Sequence, residues 1–246
     1  MTELFKFRAW HRTVMTWIGI PSILYGIHLI YENIVSPYWL IGTFLVYHLC
    51  VFSLSIGNHR LFSHRMFKCN RFWHWLFGIT TTASGNGSTI QWVFIHLGHH
   101  MHSDTPLDPH TVTWYQFFKL SPKNINFRVP RAALLLRDPM HRILHQYALL
   151  FVLAIPIIFY LISPMFFLFC YMIPVSYHHI TGNLFYIYSH TKVGSVDRGW
   201  LGWIFPFAGE WNHRYHHVGN EREMNNAQLP GQFDIGYWFS KIIKIK

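Results

Sequence analysis

Apolar residues along this chain are concentrated in four long runs. Two of them, at about 13–31 and 38–57, are joined by a short polar connector, and two more, at about 146–162 and 165–189, are joined by Ser163 and Pro164. Each run approaches the roughly 20 apolar residues that an α-helix needs to cross a bilayer. The pattern predicts an all-α integral membrane protein, a single domain over 1–246 with four transmembrane helices.

The two long polar segments, 58–145 and 190–246, are expected to form a helical cap at one end of the bundle. Within this cap, helices are expected over Ile90 to Met101 and from Asp138 onward, and interfacial helices over Lys68 to Thr82 and Trp114 to Leu120. Lysine and arginine are concentrated in these segments and before the first run. Because loops rich in these residues stay cytoplasmic, the cap and both termini should be cytoplasmic, in a bacterial inner membrane or the endoplasmic reticulum.

Composition supports a membrane protein and narrows its partners. Hydrophobic residues make up 51% of the chain and charged residues only 12%, a balance that is unusual for a soluble protein. The formal net charge of +10 is expected to attract anionic lipid or an acidic partner. No basic stripe with base-stacking aromatics lies outside the membrane-adjacent segments, so nucleic acid is not an expected partner. The three cysteines form no Cys-x-x-Cys pair, which argues against a disulfide framework or a cysteine zinc site.

Histidines recur at one spacing in the polar segments. Two triplets stand at i, i+3 and i+4, and on a helix this spacing projects three imidazoles from one face. A further pair lies at the end of the second apolar run. The eight residues are His59, His64, His96, His99, His100, His213, His216 and His217. Neutral imidazoles bind first-row transition metals, and eight exceed what one four-coordinate zinc ion needs, so the sequence predicts two metal ions at the membrane surface.

A metal pair above an apolar bundle is suited to oxidative chemistry on a lipid. Breaking an unactivated C–H bond requires an oxidant made from dioxygen, and iron with open coordination positions can make one. Zinc has no redox chemistry and cannot do so. Two iron ions are therefore the expected cofactor, with dioxygen as co-substrate.

Three segments resemble the histidine boxes of the membrane fatty-acyl desaturases: His59–Arg65, His96–His100 and Gly209–His217. The resemblance is closest to the bacterial-type acyl-CoA enzymes that introduce a double bond at the ninth carbon. Other segments that look like this family in order and place are Asp108–His110, Arg137–Pro139 and Phe233–Trp238. The resemblance thus covers most of the chain, and it implies a desaturase built on four spans.

The resemblance also implies a set of metal ligands. In the family, the eight box histidines hold a di-iron centre that itself carries the chemistry, and no separate acid or base is assigned here. A ninth ligand comes from the cytoplasmic end of the fourth span, and His190 is the matching position. The family usually places an asparagine four residues before this histidine, where this chain has Tyr186. Asn183, which shares a helical face with His190, or a water molecule is expected to take its place.

Charged residues beside the boxes are candidates for supporting roles. Acidic candidates to orient metal-bound imidazoles are Glu210, Asp104 and Asp108, although ordinary loop capping explains them equally well. Basic candidates to hold a substrate headgroup are Arg60, Arg65, Lys68 and Arg71, and a solvated positive-inside flank explains them nearly as well. His178 and His179, deeper in the fourth run, are expected to be interior residues with satisfied hydrogen bonds.

Three functions agree with these patterns. The favoured one is a desaturase that holds an acyl chain in a kinked apolar tunnel and removes two hydrogens from adjacent methylenes. Its expected substrate is a long-chain acyl group on coenzyme A, acyl carrier protein or a glycerolipid, and the resemblance implies a separate electron donor such as a ferredoxin or a b-type cytochrome. The alternatives are a membrane hydroxylase or carotenoid-type oxygenase, and a non-enzymatic metal-binding or metal-transport membrane protein.

Overall fold

A computed structural model describes residues 2–109, 128–191, 194–203 and 205–245, with side chains from residue 10 onward. The helix expected over Trp114 to Leu120 lies outside the described residues, as does His110.

The first two apolar runs form long helices. Helix α1 (Thr2–Tyr31) is followed by α2 (Trp39–Phe52), which continues without a break into a π-helical segment (Ser53–Ser63). The parts Trp10–Tyr31 and Trp39–Ser63 are long and apolar enough to cross a membrane. The first two predicted spans are therefore confirmed as helices of spanning length.

The third and fourth runs are interrupted. Helices α6 (Pro139–Gln146) and α7 (Ala148–Ile162) are bent by 73° at Tyr147, and together they would make a third spanning element. The next helices are α8 (Pro164–Phe167), a π-helical segment (Leu168–Met172) and α9 (Ile173–Ser189). Within the described ranges two helices can span, or three with the bent pair, so the four-span topology stays a prediction.

Most of the remaining elements belong to the predicted cap. They are α3 (Arg71–Ala83), α4 (Thr89–His102), α5 (Pro130–Leu134), the antiparallel strands β1 (His190–Thr191) and β2 (Gly194–Ser195), α10 (Arg214–Val218) and α11 (Ile235–Ile243). Short 3-10 helices cover Leu135–Arg137 and Gly199–Trp203. The helices expected over Ile90 to Met101 and from Asp138 onward are confirmed by α4 and α6.

The start of α4 is fixed by a capping box. The Ser88 hydroxyl accepts a hydrogen bond from the backbone N–H of Gln91 at 3.3 Å, and the Gln91 side chain accepts one from the backbone N–H of Ser88 at 2.9 Å. Two backbone N–H groups that the helix leaves unpaired are thereby satisfied. This start sets the register that carries three histidines toward the end of α4.

A buried apolar cluster holds the cap elements against the end of the second long helix. Its members include Ile56, Phe77, Val93, Met140 and Leu144, all at most 1% exposed. Each such side chain contributes about 1.5–3 kcal/mol through its removal from water. The cluster joins the π-helical segment to α3, α4 and α6, so the elements that carry the first two histidine boxes share one core.

Candidate metal centre

Nine histidines lie in two groups, and in each group the ligand nitrogens lie within 4.8 Å of one another. The first group is His59, His64, His96, His100 and His216, and the second is His99, His190, His213 and His217. All are buried except His100 and His217, which are half-buried. The structure therefore brings together the eight box histidines and the predicted ninth.

The π-helical segment explains how the two histidines of the first box, His59 and His64, come close together. The backbone N–H of His64 donates to the carbonyl of His59 at 3.1 Å, an i to i−5 hydrogen bond. A π-turn brings residues five apart closer to one face, whereas an α-helix would separate them by about 140° around its axis. The two imidazoles consequently lie with ring centroids 5.0 Å apart.

Each histidine triplet is divided between the two groups. In α4, His96 and His100 join the first group while His99 joins the second. In the third box the division is reversed, since His213 and His217 join the second group and His216 joins the first. The expectation that each triplet projects from one face is therefore too simple, because residues at i and i+3 differ by about 60° around a helix.

His190 is the C-cap residue directly after α9 and begins β1, where it pairs with Ser195 in the strand register. Its Nε2 lies 2.9 Å from Nε2 of His213, and its Nδ1 lies 3.2 Å from Oδ1 of Asp104. The prediction that Asn183 supports His190 is wrong. Asn183 lies two helical turns earlier, about 10 Å along the axis, and its side chain bonds to Arg12 at 2.9 Å and Thr16 at 3.1 Å.

The outer nitrogens of several metal-facing histidines lie against carboxylates. Nδ1 of His59 is 2.8 Å from Oε2 of Glu210, whose other oxygen accepts from the Ser55 hydroxyl. Nδ1 of His99 is 2.9 Å from both oxygens of Asp108. A carboxylate on Nδ1 holds the proton there and leaves the Nε2 lone pair free for a metal. Glu210, Asp104 and Asp108 therefore lie beside the outer nitrogens of His59, His190 and His99, and their orienting role stays a prediction.

A further carboxylate, that of Glu221, lies near outer histidine nitrogens, and it is not predicted from the sequence. Oε2 of Glu221 lies 3.7 Å from Nδ1 of His64 and 3.9 Å from Nδ1 of His100. Its side chain is 41% exposed, so its interaction is weaker than that of the buried carboxylates. The one feature of the sequence that points to Glu221 is its position four residues after His217.

The candidate headgroup residues have different environments. Arg60 is fully buried and pairs with Asp234 at 2.9 Å, so the prediction that it holds a headgroup is wrong. Arg71 is exposed and pairs with Asp138 at 3.1 Å. Arg65 and Lys68 are exposed, and for them a headgroup role stays a prediction.

Burial lowers the pKa of several of these imidazoles well below the usual value of 6.5, and neighbouring ionisable groups, chiefly the other histidines, lower it further. These residues are His64, His96, His213 and His216. Burial alone would raise the pKa of Glu210, but His59, Arg60 and Ser55 outweigh it and the net pKa is lowered. Neutral imidazoles with an ionised carboxylate are the protonation states that metal binding needs.

The spacing of the inward nitrogens fits a bound metal. Nε2–Nε2 distances are 2.8 Å for His59–His216, 2.8 Å for His64–His96 and 3.1 Å for His216–His100. Two nitrogens about 2.1 Å from one metal are about 3.0 Å apart at a right angle and about 3.4 Å apart at a tetrahedral angle. The paired nitrogens are therefore close enough for one metal ion to bind both. A five-histidine group also exceeds the four ligands of tetrahedral zinc.

Apolar helices of spanning length and two largely buried histidine groups indicate a helical membrane protein with a candidate two-metal centre. No family model matches the chain. The chain is 35% identical over 98 residues to a hex-5-enoyl-(acyl-carrier protein) acetylenase from Moorena producens, which covers 40% of this chain and 26% of that protein. It is 28% identical over 172 residues to a probable chloroplastic lipid desaturase from Arabidopsis thaliana, covering 61% and 45%. It is 28% identical over 128 residues to an sn-1 stearoyl-lipid 9-desaturase from Anabaena variabilis, covering 48% and 43%.

The curated homologues of this chain are fatty-acid desaturases, which supports its place in the desaturase family, as the histidine boxes predict. The matched regions cover less than half of each of these three relatives' own lengths.

Proposed function

We propose that this protein is an O2-dependent di-iron fatty-acyl desaturase that inserts a cis double bond, at delta-9, into a saturated long-chain acyl substrate. One observation carries the proposal: nine histidines, from four separate parts of the fold, converge into two adjacent groups of five and four. The split suits two metal ions with unequal ligand counts. The apolar outer surface of α1, α2 and α7 suits a site that receives its substrate from a bilayer.

The residues of this chain would hold two iron ions through the two groups. Bound iron would supply, with dioxygen and electrons from a separate ferredoxin or b-type cytochrome, the oxidising power to remove two hydrogens from adjacent methylenes. Glu210 and Asp108 lie against Nδ1 of His59 and His99, where each carboxylate would hold the ring proton and leave Nε2 free to bind a metal. Trp92 stacks on His96 with ring centroids 4.6 Å apart, and this contact excludes water from one side of the first group.

The carrier of the acyl group is open among three classes. The names of the relatives include an acyl-carrier-protein enzyme, a stearoyl-lipid desaturase and an acyl-CoA desaturase. Exposed Arg65 and Lys68, next to the first box, would suit a phosphate of coenzyme A, of the carrier protein's prosthetic group or of a lipid headgroup. A multi-pass membrane location with both termini cytoplasmic agrees with this proposal.

The test is expression with an electron donor in cells that lack their own desaturase, followed by mass analysis of the lipids. We expect a new monounsaturated chain, two hydrogens lighter than its precursor, which is absent from His213→Ala. His28→Ala, which changes an exposed histidine on α1, is the matched control and should keep the product. A product heavier by one oxygen would indicate the hydroxylase. No product, with protein and iron present, would overturn the proposal.

A further inference from the structure

A small cavity borders the two histidine groups from the side of α1 and α9. Its volume is about 40 Å³, and among the residues that line it are Arg12, Asn86, His178 and His179 together with His59, His96, His99, His190 and His213. Each water molecule needs roughly 10–15 Å³ of such volume, so the cavity has room for a small chemical group. Apolar side chains, among them Leu54, Phe185 and Phe207, line the rest of the cavity, so it is an apolar space with a few polar groups at its border.

Arg12 is a buried cation, and among the described side chains no carboxylate lies against it. It is 7% exposed. Its Nη2 donates to Oδ1 of Asn183 at 2.9 Å, and its guanidinium carbon lies 5.9 Å from the ring centroid of Tyr186. Its Nε is buried and has no hydrogen-bond partner. None of the described carboxylates pairs with it. A buried charge is tolerated when it is paired, so this guanidinium lacks an anion.

His178 supplies a second unsatisfied donor to the same cavity. Its Nε2 lies 3.0 Å from the amide nitrogen of Asn86, which also donates to the Ser84 hydroxyl. Because the amide nitrogen donates, Nε2 of His178 accepts and the ring proton of the neutral imidazole is on Nδ1. This Nδ1 is buried without a partner. Two unpaired donors, one of them cationic, therefore border one small cavity.

We propose that this cavity binds a carboxylate, held by Arg12 and His178, beside the metal-facing histidines. Water molecules could satisfy the two donors, but they would leave the positive charge of Arg12 unpaired. A carboxylate supplies two acceptor oxygens and one negative charge, which matches a guanidinium edge and an imidazole N–H. The inference rests on the proposed function in one respect: an acyl substrate that reaches this cavity would end in a carboxylate where an ordinary fatty chain ends in a methyl group.

The experiment is calorimetric titration of the purified, metal-loaded full chain in detergent micelles. The probes are sodium butyrate, a free short acid, and monomethyl suberate, a chain with a carboxylate at one end and an ester at the other. Matched 1-butanol and sodium chloride control for apolar contact and for simple anion binding. We expect a carboxylate probe to bind, and we expect 1-butanol and sodium chloride to bind more weakly than that probe or not at all. Butyrate binding identifies a site for free acids, and binding of monomethyl suberate alone identifies a site for the substrate's end.

Variants assign the binding to the two donors. Arg12→Gln should weaken carboxylate binding at least about tenfold, the effect of losing one charge-assisted hydrogen bond. Arg142→Gln, which changes an exposed arginine that does not line the cavity, should leave it unchanged. If Arg12→Gln does not fold, Arg12→Lys and His178→Phe carry the test, since each removes one of the unpaired donors.

Several results would overturn the inference: no carboxylate binds, butanol or chloride binds equally well, or the variants that fold bind like wild type. A desaturated product in cells together with any of these results would leave the proposed function standing. Carboxylate binding without any product would support the cavity and count against the function.

Discussion

Arg60 and Asp234 form an ion pair in which Nη2 and Oδ2 lie 2.9 Å apart and neither side chain is exposed. Arg60 directly follows His59, and Asp234 also accepts a hydrogen bond from the backbone N–H of Tyr237 at 2.9 Å, in the first turn of α11. The pair therefore ties the C-terminal helix to the π-helical segment that carries the first metal-facing histidine. A buried ion pair of this kind is costly to break, because the remaining partner keeps an unpaired charge.

Asp234→Ala is accordingly expected to lower the free energy of unfolding by about 3–5 kcal/mol. The matched control is Glu32→Ala, which removes a half-exposed carboxylate 4.0 Å from His28. An exposed pair at i, i+4 contributes about 0.3–0.5 kcal/mol, so the control should change little. Denaturant unfolding in micelles, followed by circular dichroism, measures both. Equal losses for the two variants would contradict the role of the buried pair.

Asp108→Asn tests the carboxylate that holds His99. The asparagine keeps the size of the side chain but loses the charge that fixes the imidazole proton on Nδ1. We expect iron affinity to fall about 10–100-fold, as for other carboxylates that support a ligand histidine. Asp104→Asn should lower the iron affinity less. The Asp104 oxygen is 3.2 Å from His190, and its side chain is more exposed than that of Asp108.

Competition with a graded series of chelators, with bound iron measured by elemental analysis, gives these affinities. Wild-type iron retention by Asp108→Asn would show that the contact caps a loop and does not support the metal.

The division of each triplet makes a prediction about metal content. His96 and His216 come from different boxes but share the first group, whereas His216 and His217 are adjacent in the chain but belong to different groups. The double variant His96→Ala/His216→Ala should therefore lose metal from one group and keep it in the other. His216→Ala/His217→Ala should lose metal from both groups.

Metal content per protein, measured by elemental analysis on matched preparations, separates the two double variants. If each box held its own metal ion, the result would be the opposite. His216→Ala/His217→Ala would then keep one ion, and His96→Ala/His216→Ala would lose both.

Much of this fold and site follows from patterns that repeat along the chain. Apolar runs predict the first two helices because burial in a bilayer requires an uninterrupted length, and the histidine spacing predicts the metal-facing residues because helical periodicity fixes it. The partners of the outer nitrogens are less predictable, since Glu221 and Asp104 reach their histidines through loop geometry. Helical phase alone pairs Asn183 with His190, and the structure does not. The partner of Asn183, Arg12, comes from a helix 171 residues earlier, and no local pattern reports that contact.

Gly209 gives a test of how the third box is placed. Its φ of +84° lies in the left-handed region, and a Cβ there would come 2.2 Å from Oδ1 of Asp234. Gly231 is the matched control, because its φ is +82° and a Cβ there would meet nothing within 4 Å. Alanine at either position carries the left-handed strain of about 1–2 kcal/mol. Only at Gly209 must Asp234 or the adjacent Glu210 also move.

Gly231→Ala should therefore unfold at slightly lower denaturant and bind iron like wild type. Gly209→Ala should lose more stability than this strain accounts for, and it should also bind less iron, since Glu210 contacts His59 at 2.8 Å. Denaturant unfolding and iron content measured on both proteins decide the matter. Similar stability and iron content in the two variants would mean that Asp234 yields to the new methyl group and that the turn at Gly209 does not position the third box.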